Sequence, residues 1–356
     1  MFKTTQLKEV LSISNGKRIP ANPGPYPVYG GNGICGHVNV FNQKDCIVVG
    51  RVGAYCGSIY YAKKECWVTD NALVIKCTPE TDLIFIYNLL KMIHLNEYRL
   101  GSSQPLITKS VIQSIEVTIP EKLEDQKKIA KILQTLDNQI ETLTEINDNL
   151  LKSAKAAFSE MMSTSELSNG VLSDVASIIM GQSPPGESLS EDSKGTLFYQ
   201  GRAEFGTVFP TPRLYTTDPR RMAKQGSILM SVRAPVGDIN VALEECCIGR
   251  GLAAIESNNG MQGFVHYLMD YLKPELDIFN GDGTVFGSIN NESINSVDIA
   301  LPEQNSIEQF NTYAEKVDAE IKSNHLEILK LSEIRDYLLP KLMSGEIDVS
   351  TLEIPN

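Results

Sequence analysis

Seven cysteines are the first residues of this 356-residue sequence whose type and spacing could do chemistry. Five of them recur at intervals of about ten residues, which suggests a zinc site; they are Cys35, Cys46, Cys56, Cys66 and Cys77. Zinc ligands usually come in pairs two to four residues apart, but the sequence contains no CxxC and only four histidines. We therefore expect no metal site and interpret the cysteines as reduced, buried thiols in short strands.

Catalytic and cofactor-binding motifs are also missing from the sequence. It contains no GxxxxGK[ST] loop for ATP and no GxGxxG loop for a dinucleotide. Residues 22–26 resemble the Asn-Pro-Pro-Tyr loop of amino-methyltransferases, but Gly24 interrupts that loop. Ser231 lacks the flanking glycines of a nucleophile elbow. We predict a non-catalytic chain that binds no cofactor of its own.

Basic, amide and aromatic residues in Gly- and Pro-rich turns give the positive signal. Arg, Asn and Gln read base edges, while Lys and Tyr position the phosphate backbone of DNA. The candidate DNA-binding residues are Lys17, Arg18, Tyr29, Asn32, Arg51, Tyr55, Lys63, Asn71, Tyr199, Gln200, Arg202, Arg213, Arg220, Arg233 and Arg250. Each alone could be an ordinary solvated residue. Arg51, Arg202 and Arg233 stand out because they lie in turns within strand-rich regions.

The net charge of −12 conceals an uneven distribution. Residues 1–120 carry +4, from 12 basic and 8 acidic residues, whereas residues 164–302 carry −8, from 9 and 17. DNA binding, if present, is therefore expected to be local and assisted by a basic partner.

Two long amphipathic helices must position these turns. Apolar residues recur in two interleaved sevenfold rows within residues 121–163 and again within 303–345, which predicts an antiparallel coiled coil. A core helix of one globular domain is the alternative. The residues predicted to pair are Leu136, Ile140, Leu143, Asn147 and Leu150 with Val317, Ile321, Asn324, Ile328 and Leu331. In one register, facing positions sum to 471, so that Asn147 meets Asn324.

The remainder of the chain repeats itself. Short strands and turns fill residues 1–120, with a helix near 84–92, and residues 164–302 follow the same succession. Landmarks that return include Gly16 as Gly181, Cys66 as Cys246, Gly101 as Gly283 and Pro120 as Pro302. We predict an α+β protein with two homologous recognition domains, 1–120 and 164–302, separated by spacer helices 121–163 and 303–345 in a pseudo-two-fold arrangement, and a tail at 346–356.

Location follows from what the sequence lacks. No apolar run reaches the roughly 20 residues that cross a bilayer, and residues 1–8 do not resemble a signal peptide. We expect a cytoplasmic protein.

The layout resembles the specificity subunit of type I restriction-modification systems across the whole chain. Ile119-Pro120 followed by residues 124–130 is similar to the family's proline, acidic-Gln, helix signature, and Leu301-Pro302 with residues 308–309 repeats it. Residues 101–105 and 338–347 also resemble family segments. The second copy of the signature departs at residues 305–306 and 311–312.

The resemblance implies a function in DNA recognition. Each recognition domain would read one half of a bipartite DNA site, and the helices would fix the spacing and dock two modification (methyltransferase) subunits. Restriction subunits would join the complex, and S-adenosylmethionine, ATP and Mg would bind those partners rather than this chain. The alternative is a non-catalytic coiled-coil scaffold whose repeated domains bind peptides or glycans.

Overall fold

The chain divides into two units in the computed structural model, which describes residues 1–101, 105–281 and 287–352. The first unit is Met1–Thr142 with Ile328–Asn356, and the second is Leu143–Glu327. Three features of the predicted pattern lie outside the described residues: positions 102–104 of the 101–105 segment, the landmark Gly283, and the last four residues of the tail.

The described part of the first unit is built from short strands, three short α-helices and a 3-10 helix (Leu95–Tyr98). The strands are β1 (Phe2–Gln6), β2 (Leu11–Asn15), β3 (Tyr26–Gly30), β4 (Gly33–Val38), β5 (Cys46–Gly50), β6 (Ile59–Ala62), β7 (Trp67–Val68), β8 (Ala72–Cys77) and β9 (Glu116–Pro120). The helices are α1 (Leu7–Val10), α2 (Leu83–Ile93) and α3 (Lys109–Ser114). The N-cap Asp82 begins α2 by accepting a hydrogen bond from Phe85 N at 2.9 Å.

A long helix, α4 (Leu123–Thr164), leads from the first unit into the second. The second unit has strands β10 (Leu167–Val171), β11 (Ala176–Met180), β12 (Leu189–Ser190), β13 (Thr196–Tyr199), β14 (Leu214–Thr216), β15 (Met222–Ala223), β16 (Ile228–Ser231), β17 (Ile239–Val241), β18 (Cys246–Ile248), β19 (Leu252–Ser257) and β20 (Asp298–Pro302). Its short α-helices are α5 (Leu172–Val175), α6 (Gln262–Tyr271), α7 (Lys273–Leu276) and α8 (Asn291–Asn295). A second long helix, α9 (Gln304–Ser344), begins in the second unit and ends in the first.

Two sheets of the first unit recur with the same strand order in the second unit, and a third recurs with two added strands. The order β2-β8-β5-β6 in the first unit matches β11-β19-β16-β17 in the second, and the ribbon β1-β9 matches β10-β20. A parallel pair also recurs, β3 with β7 and β13 with β18, although the second unit adds β12 and β15 to this sheet. The internal repeat and the α+β class are therefore confirmed.

The core of each unit forms between its four-stranded sheet and its helices. In the first unit Ile47, Ile75 and Phe85 are fully buried and pack with Leu133 of α4. In the second unit Phe158 of α4 stacks edge-on against Phe310 of α9, with ring centroids 5.1 Å apart.

The two long helices run antiparallel within each unit. In the second unit Asn324 Nδ2 donates to Asn147 Oδ1 at 2.9 Å, and Asn147 Nδ2 donates to Ile321 O at 3.2 Å. In the first unit Arg335 Nη1 lies 3.0 Å from Asp137 Oδ1. The contact between the two asparagines is the one predicted by the register that sums to 471.

All ten residues predicted to pair between the helices lie on the less exposed stripe of α4 or α9. Ile321 is 1% exposed and Asn324 is 7% exposed, whereas the residues between stripe positions, such as Glu141 and Glu145, face solvent. Arg335 also falls on the stripe, and its charge is compensated by Asp137 and Asp336. In the described ranges, no helix is long and apolar enough to cross a membrane.

Candidate nucleic-acid interface

At one end of the four-stranded sheet of the first unit, two strands end and two strands begin. Strand β2 ends and β8 begins here, because Asn15 pairs with Leu73, and β5 ends where Gly50 pairs with Ala72. Strand β6 begins here as well, opposite Val49. We call this surface the first turn edge; it comprises residues 16–18, 31–32, 51–58 and 69–71.

The β3–β4 hairpin brings its turn to the first turn edge. Gly30 pairs with Gly33, which leaves Gly31 and Asn32 as a two-residue turn, and Gly33 has a left-handed φ of 76°. The Ser58 hydroxyl donates a hydrogen bond to Gly31 O at 2.5 Å. This contact fixes the exposed Asn32 beside the residues that follow β5.

Six of the eight candidates in the first unit lie on this edge. Five of these side chains are exposed and Arg51 is half-buried; the six are Lys17, Arg18, Asn32, Arg51, Tyr55 and Asn71. Tyr29 lies just inside the edge with its ring 6.4 Å from that of Tyr60, and burial raises the pKa of its hydroxyl. Lys63 follows β6 at the opposite end of the sheet, so it is not part of this cluster.

The cations of the first turn edge have no acidic partner among the residues that the structure describes. Within the described part of the first unit, Lys17, Arg18 and Arg51 form no ion pair within 4.0 Å. Their charges are therefore available to an anion such as a phosphate.

The second unit has a corresponding second turn edge, which comprises residues 181–183, 200–202, 232–238 and 249–251. Here β16 ends opposite the start of β19, with Ser231 paired to Leu252. Gln200 is exposed on this edge; Ser183 Oγ donates to Gln200 Oε1 at 3.1 Å, and Gly251 N donates to Gln200 O at 3.1 Å.

The arginines predicted in the second unit fall into two groups. Three are ion-paired: Arg202 with Asp238 at 2.8 Å, Arg213 with the buried Glu204, and Arg220 with Asp218 at 2.7 Å. Arg233 and Arg250 are exposed on the second turn edge and make no ion pair with any described residue. Among the five predicted arginines, this second group therefore presents guanidinium groups that no described carboxylate engages.

Tyr199 requires a correction, because it is a core residue and not a surface candidate. Its side chain is 2% exposed, and its hydroxyl donates to Pro210 O at 3.4 Å. Strand β13 lies inside a five-stranded sheet, where Tyr199 packs with Leu229 and Ile248. Burial raises the pKa of this hydroxyl, and the ring cannot reach a base without unfolding of the strand.

The same backbone hydrogen bonds build both turn edges, and we call this set the backbone frame. In the first unit the bonds are Gly16 N to Ala72 O (3.1 Å), Lys17 N to Val68 O (2.9 Å), Thr69 N to Tyr29 O (2.9 Å), Arg51 N to Asn71 O (2.9 Å) and Ile107 N to Arg51 O (3.0 Å). In the second unit, in the same order, they are Gly181 N to Leu252 O (2.9 Å), Gln182 N to Ile248 O (2.9 Å), Gly249 N to Tyr199 O (2.8 Å), Val232 N to Gly251 O (3.0 Å) and Ile289 N to Val232 O (3.1 Å). Equivalent positions thus carry different side chains on one shared frame.

Two glycines are required by the close approach of strands in this frame. A Cβ on Gly16 would lie 1.9 Å from Thr69 O, and a Cβ on Gly181 would lie 2.2 Å from Gly249 O. Both contacts are with backbone atoms, so no side-chain rotation relieves them.

The frame also identifies a residue that the sequence alone did not single out. Val52 lies on the first turn edge beside a cluster of cations, and its side chain is 40% exposed. Alignment of the repeat at an offset of 181 places Val52 opposite Arg233 and would have drawn attention to it.

The cysteines lie mainly in strands and do not gather with other ligands. Among the described residues there is no group of three or more His, Cys, Asp or Glu side chains that could hold a metal ion. All seven thiols are free, and burial raises the pKa of Cys77 and of Cys246 to about 12.

The N-terminal part of the chain matches a family model. Residues 1–152 match the model for the type I restriction modification DNA specificity domain. The putative type I restriction enzyme MjaX specificity subunit of Methanocaldococcus jannaschii is 33% identical over 270 residues, which are 70% of this chain and 63% of that protein. The EcoprrI specificity subunit of Escherichia coli is 29% identical over 154 residues, 41% of this chain and 38% of that protein.

A solved structure agrees with the fold. The S subunit of a type I restriction-modification system from M. genitalium superposes with a TM-score of 0.73, covers 96% of both chains and is 18% identical. Both proteins share repeated α+β units and antiparallel long helices, so the likeness is one of fold. The chain is thus similar to type I restriction-modification specificity subunits, in sequence over residues 1–152 and over 63% of the length of the MjaX subunit.

Proposed function

We propose that this chain is the DNA-binding specificity subunit of a type I restriction-modification complex. Each turn edge would read one half of a bipartite DNA site, and the paired helices would set the gap between the halves. Because half-site spacing mirrors protein geometry, the chain would act by placing two reading surfaces rather than by chemistry of its own.

The observation that carries this proposal is the shared backbone frame with different side chains. Binding residues commonly lie on loops that a rigid scaffold positions, and here the scaffold occurs twice. The first turn edge offers Lys17, Arg51 and Asn71, whereas the second offers Gln182, Arg233 and Arg250 at or next to the equivalent positions. Two sites of one kind with different chemistry suit two different half-sites.

Partner proteins would supply the catalysis. We propose that two modification subunits dock near the helices and bring S-adenosylmethionine, and that restriction subunits bring ATP and Mg. This chain would bind none of these cofactors, and its action on cellular DNA would place it in the cytoplasm. The peptide- or glycan-binding scaffold is not supported, because the relatives are named as restriction-enzyme specificity subunits.

A binding selection tests the proposal directly. The full chain, assembled with modification subunits, would be incubated with a randomised duplex library, and the bound duplexes would be sequenced. We expect two short specified blocks separated by an unspecified gap of constant length. Recovery of unenriched sequence, or of one continuous block, would refute the proposal.

Salt dependence separates the phosphate contacts from the base contacts. A lysine that neutralises one phosphate contributes about 0.9 to the slope of log affinity against log salt concentration. We expect Lys17→Ala to lower that slope by about 1 and to weaken all duplexes equally. Lys63→Ala, at the opposite end of the sheet, is the matched control and should leave the slope unchanged.

Helix length offers an independent test of the spacing role. Four residues inserted after Asn147, with four inserted after Asn324, lengthen both helices by about 6 Å, since the rise is about 1.5 Å per residue. The gap between half-sites should change while both half-site sequences stay the same. An unaltered gap would contradict the spacing role of the helices.

A further inference from the structure

Val52 and Arg233 occupy one equivalent, outward-facing position in the backbone frame. We propose that this position discriminates bases, with Val52 contacting the methyl group of a thymine in the first half-site and Arg233 contacting a guanine in the second. This inference rests on the proposed function, because it assigns base chemistry to the same turn edges.

Matching hydrogen bonds establish the equivalence of the two positions. Val52 forms an antiparallel bridge with Leu106, and Arg233 forms one with Ser288. The next residue is bonded alike in both units: Gly53 N donates to Pro105 O at 3.0 Å, and Ala234 N donates to Gly287 O at 3.0 Å. The backbone on both sides of each side chain is therefore fixed in the same way.

Alternation along the chain sets the direction of these side chains. Successive side chains of an extended strand point to opposite faces, so positions 51 and 232 face one way and positions 52 and 233 the other. Val232 is buried at 3% exposure and Arg51 is half-buried, whereas Val52 is 40% exposed and Arg233 is exposed. The outward face of the frame is thus presented by Val52 in one unit and by Arg233 in the other.

The chemistry of the two side chains differs in a way that DNA can read. An apolar side chain makes favourable contact with the thymine methyl group in the major groove, whereas arginine forms two hydrogen bonds with guanine O6 and N7. Arg233 makes no ion pair with a described residue, so its donors are available, in contrast to those of Arg202, which Asp238 engages. Tyr55 is 54% exposed on the same edge as Val52 and extends the apolar surface there.

Reciprocal substitutions test the assignment. Val52→Arg and Arg233→Val would be prepared in the full chain, assembled with modification subunits and passed through selection from a randomised duplex library. With Val52→Arg, we expect the preferred base at one position of the first half-site to change from thymine to guanine. Duplexes with guanine at that position should bind at least about fivefold more tightly than duplexes with thymine. With Arg233→Val, one guanine of the second half-site should lose its preference by a similar factor. The other half-site should be unaffected in each case.

Two control variants distinguish base reading from charge and from general disturbance. Val40→Arg adds the same cation at a valine that is 43% exposed, at the opposite end of the β3–β4 hairpin from Asn32, and should leave both half-sites unchanged. Arg233→Lys keeps the positive charge but loses the bidentate hydrogen bonds of the guanidinium group. The variant should therefore keep its overall affinity for DNA, while its preference for guanine in the second half-site falls.

The outcomes separate the two proposals. If wild-type protein selects a bipartite site but Val52→Arg and Arg233→Val change affinity equally for all sequences, the assignment is overturned and the proposed function stands. The assignment is overturned in the same way if the altered base lies in the wrong half-site. If wild-type protein selects no sequence, both proposals fall.

Discussion

Replacement of Asn147 and Asn324 by leucine measures how the helix pair sets its register. Asn324 is 7% exposed, and its amide donates only to Asn147 Oδ1 among the hydrogen bonds of the described residues. Asn147→Leu alone removes that acceptor, and a buried donor without a partner costs about 1–3 kcal/mol. The single substitution should therefore give little or no stabilisation despite the added apolar surface.

The double substitution should have the opposite effect. Two buried leucines contribute up to about 1.5–3 kcal/mol each, and the two lost hydrogen bonds offset about 0.5–1.5 kcal/mol each. Because position 147 is only partly buried, the leucine there contributes at the lower end of the range for burial. The net gain in the free energy of unfolding is then about 1–3 kcal/mol. The coupling between the two substitutions should be of similar size.

Urea unfolding followed by circular dichroism would measure all four members of this double-mutant cycle. Asn149→Leu, at an exposed position of the same helix, is the matched control and should not raise the midpoint. A coupling energy near zero, or a double variant less stable than the wild type, would refute the assigned pairing. A polar pair that limits stability but fixes one register is a known property of coiled coils.

Three further predictions concern stability and surface assignment. Gly16→Ala should lower the unfolding free energy by about 3 kcal/mol, because its Cβ would overlap Thr69 O, whereas Gly36→Ala, with open space around it, should have no such effect in the same urea titration. Burial lowers the pKa of His325, so the folded state disfavours its charged form; stability should be full above pH of about 6.5 and fall as pH decreases toward the lower folded pKa. His325→Phe should reduce that loss between pH 7.5 and 5.5, and equal pH dependence in both proteins would contradict the assignment. Tyr199→Phe should lower the unfolding free energy by about 0.5–1.5 kcal/mol and leave DNA affinity unchanged, which a DNA-binding assay beside the titration would check.

Periodicity explains why much of the fold could be predicted. The sevenfold rows identify the stripe containing Ile140 and Ile321 because burial of that stripe is what stabilises a helix pair. Strands near residues 47–49, 59–62 and 72–75 are similarly indicated by β-branched and aromatic residues between glycine turns, and the structure places β5, β6 and β8 there.

Contacts between distant residues explain what could not be predicted. The burial of Tyr199 depends on the pairing of β13 with β14 and β18, which local sequence does not specify. Arg202 is neutralised by Asp238 from a different turn, and Lys63 lies at the far end of its sheet because of the direction of β6. Residue type alone does not distinguish an arginine that is free from one that is paired.

The frame of main-chain hydrogen bonds has a consequence for how such a protein evolves. Bonds between N–H and C=O groups are indifferent to the side chains attached to them, so substitutions at positions such as 52 or 233 need not weaken the scaffold. Under the proposed function, a change of target preference at these positions costs little stability, whereas a methyl group at Gly16 or Gly181 would overlap the backbone of a neighbouring strand.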